Sequence, residues 1–376
     1  MPDDTLHLQV GNYVLSGWQR VSVTRSMDQI PANFDLEVTE RYPDSPDIDI
    51  KPGQSCTVWI GGDLVITGYV DRYAATVNAA EHTIRVQGRS KSADLTDCSA
   101  FTGSLAAPDM RVKNSTALGI ARTLAAPYGV TIDSIAGNGF DAQQFNINVG
   151  ETAWDVIDRL VRVSGFVAYD MPDGSVRLAR AGTETMASGF TLGVNCETAD
   201  IAYSMDQRYS EYIPTFLSVV ALSEEAGGSA VTSAGQTQHD AEVPRFRRRF
   251  VVSEQVGPGI KLAEQRAAWE KNRRYGRSQQ FNVTCDSWRD SAGNLWQPNH
   301  LAPISAPQIK LANATWCIGG VTYVRDEHGQ HAQLLLMPKE AFTPEPAILN
   351  PLPPLQADMD RNNPTKPNPP PPAEKP

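Results

Sequence analysis

The stretch KPGQSCTVWIGGDLVITGYV, residues 51–70, decides the fold class. Lys51-Pro52-Gly53 is a turn, because proline presets φ and glycine permits φ > 0. Residues 57–60 read as a strand, Gly61-Gly62 as a hairpin turn, and residues 64–69 as the returning strand. Working outward, residues 20–24 alternate, with Val21 and Val23 against Arg20, Ser22 and Thr24. Residues 33–39 do the same, with Phe34, Leu36 and Val38 against Asp35, Glu37 and Thr39. Residues 83–88 alternate again through Ile84 and Val86. Alternation under tight turns describes a sheet with one buried face. The expectation for residues 18–95 is one small unit closed into a barrel, since closure removes exposed edges.

A second copy is expected near the other end. Trp296-Gln297-Pro298-Asn299 stands for the Lys51-Pro52-Gly53 turn, and residues 301–305 for the strand at 57–60. Trp316-Cys317-Ile318-Gly319-Gly320-Val321 resembles Leu64-Val65-Ile66-Thr67-Gly68-Tyr69, and residues 331–337 resemble 82–88. Identity is low, so the repeat rests on order, turn chemistry and strand period.

The 376 residues suffice for two or three domains, and 41% hydrophobic residues suffice for real cores. A net charge of −10 argues against a general nucleic-acid binder, which needs a basic face. Cys56, Cys98, Cys196, Cys285 and Cys317 lie far apart without metal or redox spacing, as expected of thiols in a reducing cytoplasm. Residues 1–10 carry Asp3 and Asp4 and lack the basic region and apolar core of a secretory signal. No apolar run reaches the ~18 residues of a membrane span.

The chain divides into residues 1–95, the first strand unit; 96–190, a small α/β region; 191–342, the second strand unit; and 343–376, a Pro-rich tail. Residues 41–50 read as a loop. Asn114 and Ser115 are positioned to cap a helix over 116–126, with Leu118, Ala121, Arg122 and Ala125 at helical spacing, and a short strand follows at 130–135. The clearest helix starts at Thr152, whose partner in a capping box is Asp155. Trp154, Ile157, Leu160 and Val161 form its core-facing stripe. Met171-Pro172-Asp173-Gly174 signals a hairpin. Residues 213–222 read as a buried strand, 223–244 as a mobile loop, 259–275 as a helix stopped by Gly276, and 281–285 as a strand. Arg245-Phe246-Arg247-Arg248-Arg249-Phe250 reads as a strand with a solvated basic face; the other reading is contact with an acidic partner surface. The tail stays extended and disordered, or serves as a polyproline ligand.

Few residues carry a chemical signature. His328 and His331 flank Gly329-Gln330 in a hairpin, which removes the meaning of their spacing as a metal pair. There is no Walker loop or nucleophile elbow, and Gly61-Gly62 and Gly319-Gly320 read as hairpin glycines. Two acids of a glycosidase need only meet in space, so a glycan-binding or glycan-hydrolysing protein is the alternative reading. Trp288 and Trp296, on either side of a polar turn, are the best candidates for an exposed contact. No catalytic, cofactor-binding or metal-ligating residue is assigned, and no cofactor is implied.

Four stretches, in order, carry a family resemblance. They are Gly61-Gly62-Asp63 through Gly68-Tyr69-Val70-Asp71 to Gly88-Arg89-Ser90-Lys91-Ser92-Ala93-Asp94-Leu95; Gly150-Glu151-Thr152-Ala153-Trp154-Asp155; Asp170-Met171-Pro172-Asp173-Gly174; and Trp288-Arg289-Asp290-Ser291-Ala292-Gly293-Asn294-Leu295-Trp296-Gln297-Pro298-Asn299. The chain resembles the baseplate hub protein of Mu-like contractile-tailed bacteriophages, the Mu P tail protein family. The resemblance implies an α+β, mainly β fold, with two tail-tube-like β-barrel domains, a small helix-plus-hairpin α/β insertion between them and a disordered C-terminus. It implies a non-enzymatic structural protein of the virion, made in the host cytoplasm. It implies a homotrimer whose six barrels join the sixfold tail tube to the threefold membrane-piercing spike. The partners implied are the tail spike protein, the tail tube and tape-measure end, other baseplate proteins, and DNA passing the bore without specific binding.

Overall fold

The computed structural model describes residues 3–39, 50–78, 82–104, 107–217, 231–233, 235–253 and 259–344. The first unit contains β1 (Leu6–Val10), β2 (Tyr13–Leu15), β3 (Arg20–Ser26), β4 (Asn33–Thr39), β5 (Ser55–Ile60), β6 (Asp63–Val77) and β7 (His82–Ser90). The α/β region contains α1 (Ala93–Asp97), β8 (Thr102–Ser104), β9 (Ala107–Asp109), β10 (Arg111–Thr116), α2 (Ala117–Ala125), β11 (Ile132–Ser134), β12 (Asp141–Asn146), α3 (Ala153–Ser164), β13 (Val167–Asp170) and β14 (Val176–Ala179). Next come β15 (Glu184–Thr185), β16 (Phe190–Thr191) and β17 (Cys196–Tyr203), then β18 (Glu211–Leu217), β19 (Val231–Ser233), β20 (Gln238–His239), β21 (Arg248–Ser253) and α4 (Gly259–Arg277). The chain finishes with β22 (Gln279–Cys285), β23 (His300–Ala306), β24 (Leu311–Asp326) and β25 (Gly329–Met337).

The fold is mainly β. One sheet of 14 strands runs β17-β22-β25-β24-β3-β4-β7-β6-β5-β1-β2, with β23 on β24 and β15 and β16 on β23. Within it the order β3-β4-β7-β6-β5 recurs as β17-β22-β25-β24-β23, each neighbouring pair antiparallel. The β-bulges recur too. One lies between Val70 and Arg72 in β6 and between Ile318 and Gly320 in β24. Another follows Val58 in β5 and Ile304 in β23. Laying bulge on bulge matches Phe34 with Phe281 and Val58 with Ile304, all essentially fully buried.

This match corrects the sequence alignment. Trp316 corresponds to Gly68 and not to Leu64, and His331 to Thr83 and not to His82. Gly319-Gly320 is not a hairpin turn: it lies inside β24 at the bulge. A Cβ on Gly319 would come within 2.5 Å of the Phe342 ring, so close packing explains that glycine.

The expected closed barrels are not formed within the chain. Among the described residues β3 pairs with neither β1 nor β2, and β24 occupies its outer edge instead. The edge hydrogen bonds that closure would have satisfied go to the other unit, a long-range choice with no local sequence mark. A single buried apolar cluster runs through both units, from Val21, Phe34 and Val58 to Phe281, Trp296 and Leu334. The α/β region has a core of its own, built on Leu118, Ala121, Ile157 and Leu160.

Thr152 and Asp155 cap α3 reciprocally, and Gly165 ends the helix at φ 68. Trp154 is only half-buried; Ala153 and Val156 join the stripe with Ile157, Leu160 and Val161. The cap of α2 is Thr116, the last residue of β10, which accepts from Gly119 N–H; Asn114 and Ser115 lie farther back in that strand. Arg122 lies outside the apolar face and donates to Ile132 O. In the stretch expected as a loop, β19 and β20 pair with β18. Gly276 does not stop α4, which continues to Arg277; a Cβ there would strike the Ala341 backbone at 2.3 Å. Residues 41–49, 218–230 and 345–376, which hold the loop, the end of the buried strand with the start of the mobile loop, and the tail, lie outside the described residues.

Candidate assembly surfaces

The junction between the two units is a strand pair. β3 and β24 run antiparallel, with Arg25 opposite Val321, Val23 opposite Tyr323 and Val21 opposite Arg325. Alternation sends Val21, Val23 and Arg25 inward with Val321 and Tyr323, and all five are buried. The Tyr323 hydroxyl donates to Trp296 O, and burial pushes its phenol up to about 12. On the outer face Thr24 Oγ1 and Thr322 Oγ1 are 3.0 Å apart and share a hydrogen bond.

Two buried polar clusters fix the junction. Arg289, in the turn before β23, donates to Asp4 Oδ1 at 2.6 Å, Asp63 Oδ2 at 2.5 Å and Ile60 O at 3.2 Å. It thereby ties the second unit to the β5–β6 hairpin and the N-terminal strand. Asp170, at the end of β13, accepts from Ala32 N–H at 2.5 Å and Ser90 Oγ at 2.7 Å, and its carbonyl accepts from Arg25 at 3.2 Å. Burial pushes its carboxyl above the usual range, against the pull of these donors and of Arg25. This cluster seats the α/β region against the first unit.

Three arginines of the basic run have partners within the chain. Arg248 pairs with Glu211, Arg249 with Glu270, and Arg247 donates to the Met205 and Asp206 carbonyls. Arg245 and Arg248 remain exposed, as the solvated face expected for residues 245–250 requires, although the strand begins only at Arg248. Beside it a cleft of about 620 Å³ is lined by Arg249, Trp269, Arg273, Arg274 and Arg277 of α4 and β21 and by Ala202 of β17. Arg249 and Arg274 share Glu270, and Asp28 pairs with Arg277. The cleft's four arginines are therefore compensated only in part.

Trp288 and Trp296, expected as an exposed pair, are fully buried. Their indole N–H groups donate to His331 O at 2.9 Å and Ser287 O at 2.9 Å. The polar turn between them folds the chain back, so both rings enter the core while only the turn meets water. His328 and His331 flank the β24–β25 hairpin as expected, and no cluster of potential metal ligands exists among the described residues. The sequence reading missed the far half of β6 (residues 72–77), which carries the highly exposed Val77, and it missed Tyr203 on β17, also exposed. The signal present was the Tyr73–Ala75–Val77 alternation.

Comparison with known proteins places this arrangement. Residues 5–90 match the family described as Mu phage baseplate assembly protein GpP-like, N-terminal. Residues 92–180 match baseplate hub protein gp44-like, second domain, and residues 259–345 match Mu phage baseplate assembly protein GpP, fourth domain. The baseplate hub protein gp44 of Escherichia phage Mu is 31% identical over 349 residues, 90% of this chain and 89% of that protein. The 43 kDa tail protein of prophage MuSo2 from Shewanella oneidensis has a similar structure, with TM-score 0.79, 29% identity, and 91% and 100% of the two chains covered. A tail protein from Neisseria meningitidis MC58 shares the fold, with TM-score 0.72, 21% identity, and 90% and 98% covered. With that extent of identity added to two like strand units joined edge to edge, the chain belongs to the baseplate hub family of Mu-like phages, structural components of the virion tail.

Proposed function

We propose that three copies of this chain form a ring that adapts the sixfold tail tube to the threefold membrane-piercing spike. The observation that carries the reading is the recurrence of one five-strand order, bulges included, within a single sheet. Two like units per chain make a trimer present six similar lobes to the tube and three identical chains to the spike. Residues 1–95 and 191–342 supply the lobes, residues 96–190 form a small α/β domain seated against them, and residues 343–376 form the tail. The ring surrounds the DNA channel, and a net charge of −10 disfavours adsorption of the passing DNA. Its work is steric and mechanical. Static light scattering of the purified chain tests the reading: three chains per particle are expected, and a strict monomer at high concentration would contradict it.

A further inference from the structure

Resting on the ring reading, we propose which strand edges join one copy to the next: residues 74–77 of β6 pair with β17 of the neighbouring copy, in the register of the internal β24–β3 junction. The repeat makes β6 the counterpart of β24 and β17 the counterpart of β3. β24 pairs with β23 along its first half; past its bulge, the same side pairs with β3. β6 likewise pairs with β5 only as far as Tyr69, and past its bulge no described strand lies on that side of residues 74–77. β17 pairs with β22 along one edge, and no described strand covers the other edge over residues 198–203. The half-junction that β24 completes inside the chain is thus present twice more, once as an acceptor edge and once as a donor edge. Six strands of the sheet separate these two edges in one chain, so the occupant is a second copy.

Carrying the internal register across sets Ala75 opposite the partner's Ile201, Thr76 opposite the partner's Asp200, and Val77 opposite the partner's Ala199. The positions that match the inward Val21, Val23 and Arg25 are Ala199, Ile201 and Tyr203. Those that match Tyr323 and Arg325 are Ala75 and Val77. One face of the new pair is therefore entirely apolar. This accounts for two large side chains left in water, Val77 at 72% exposure and Tyr203 at 54%. Edge-to-edge addition satisfies the open backbone donors and acceptors, and burial of these side chains adds the apolar gain. Because the two edges differ, the contact is head-to-tail and propagates around a ring.

The test is thiol cross-linking of the full chain in a Cys98→Ser background, which removes the half-exposed native thiol. Thr76→Cys with Asp200→Cys, treated with a short bis-maleimide, is expected to give covalent dimers and trimers on denaturing gels. The register-shifted pair Thr76→Cys with Ser204→Cys is expected to link at least tenfold more slowly, as its strand positions lie roughly 13 Å apart. A trimer in which both pairs link equally slowly overturns the edge assignment and leaves the hub reading standing; a monomer overturns both. Hydrogen exchange on the unsubstituted protein probes the same pairing without mutation. Backbone amides of residues 74–77 and 199–203 should exchange at least tenfold more slowly in the assembly than in the dissociated chain, and equal rates overturn the proposal.

Discussion

The first and second strand units share an order but not an edge. β3, the first strand of the repeated order in the first unit, has both edges paired within the chain, to β4 and to β24. β17, its counterpart, is paired over residues 198–203 on one edge only among the described residues. The units also differ in what separates their first two strands. A six-residue connection links β3 to β4, whereas β18–β21 and α4 intervene between β17 and β22. The comparison teaches that the repeated quantity is the pattern of burial and bulge. Residue identities drift freely: Val58 becomes Ile304 and Val86 becomes Leu334, each pair buried alike.

The largest effect should come from testing the same strand position in the two units. Val23→Asp places a carboxylate in the internal junction at a site with no exposure, and should destabilise the fold by more than about 4 kcal/mol. Ile201→Asp, at the matching position of β17, is only partly buried against the core and should destabilise the fold much less than Val23→Asp while dissociating the assembly. Circular dichroism and light scattering on both variants check this. Equal loss of folding in both would break the contrast. Next, Phe34→Ala and Phe281→Ala should each cost about 3–5 kcal/mol in urea unfolding, because the two rings occupy equivalent buried sites. A marked inequality would show that the units are not packed alike.

A smaller effect is expected where the α/β region meets the first unit. Asp170→Ala strips the acceptor from Ala32 N–H and the Ser90 hydroxyl and should cost about 1–3 kcal/mol. Its pH dependence has a definite sign. The folded carboxyl lies above the ordinary value of 3.8, so the folded state binds more protons than the unfolded state as pH falls toward that value. Wild type should therefore gain stability relative to Asp170→Asn between neutral and mildly acid pH, and that contribution is lost as pH rises through the raised pKa. Paired urea titrations at the two pH values read it directly. The smallest effect is Thr152→Ala, which removes one half of the α3 capping box and should cost about 1 kcal/mol.

What was legible in the sequence was local. The capping box at Thr152 and Asp155, the hairpin around Met171-Pro172-Asp173-Gly174, and the alternation of β3, β4 and β7 all use contacts between near neighbours. Trp288 and Trp296 misled because a polar turn between two aromatics resembles an exposed platform. The carbonyls that accept their N–H groups include His331 O, far along the chain. The repeat was read in the right order but slipped by one residue against β7 and by four against β6. A bulge adds a residue without changing the period, so alternation alone does not fix the register. The β3–β24 pairing, on which the assembly surfaces depend, joins strands almost 300 residues apart and leaves no trace in either strand's own composition.

The most direct measurement of the central claim is an electron-microscopic image of the assembled particle viewed down its axis. Two like units per chain in a closed trimer require a ring of six similar lobes around an open centre. A ring of three lobes, or a compact particle without a central opening, would contradict the account.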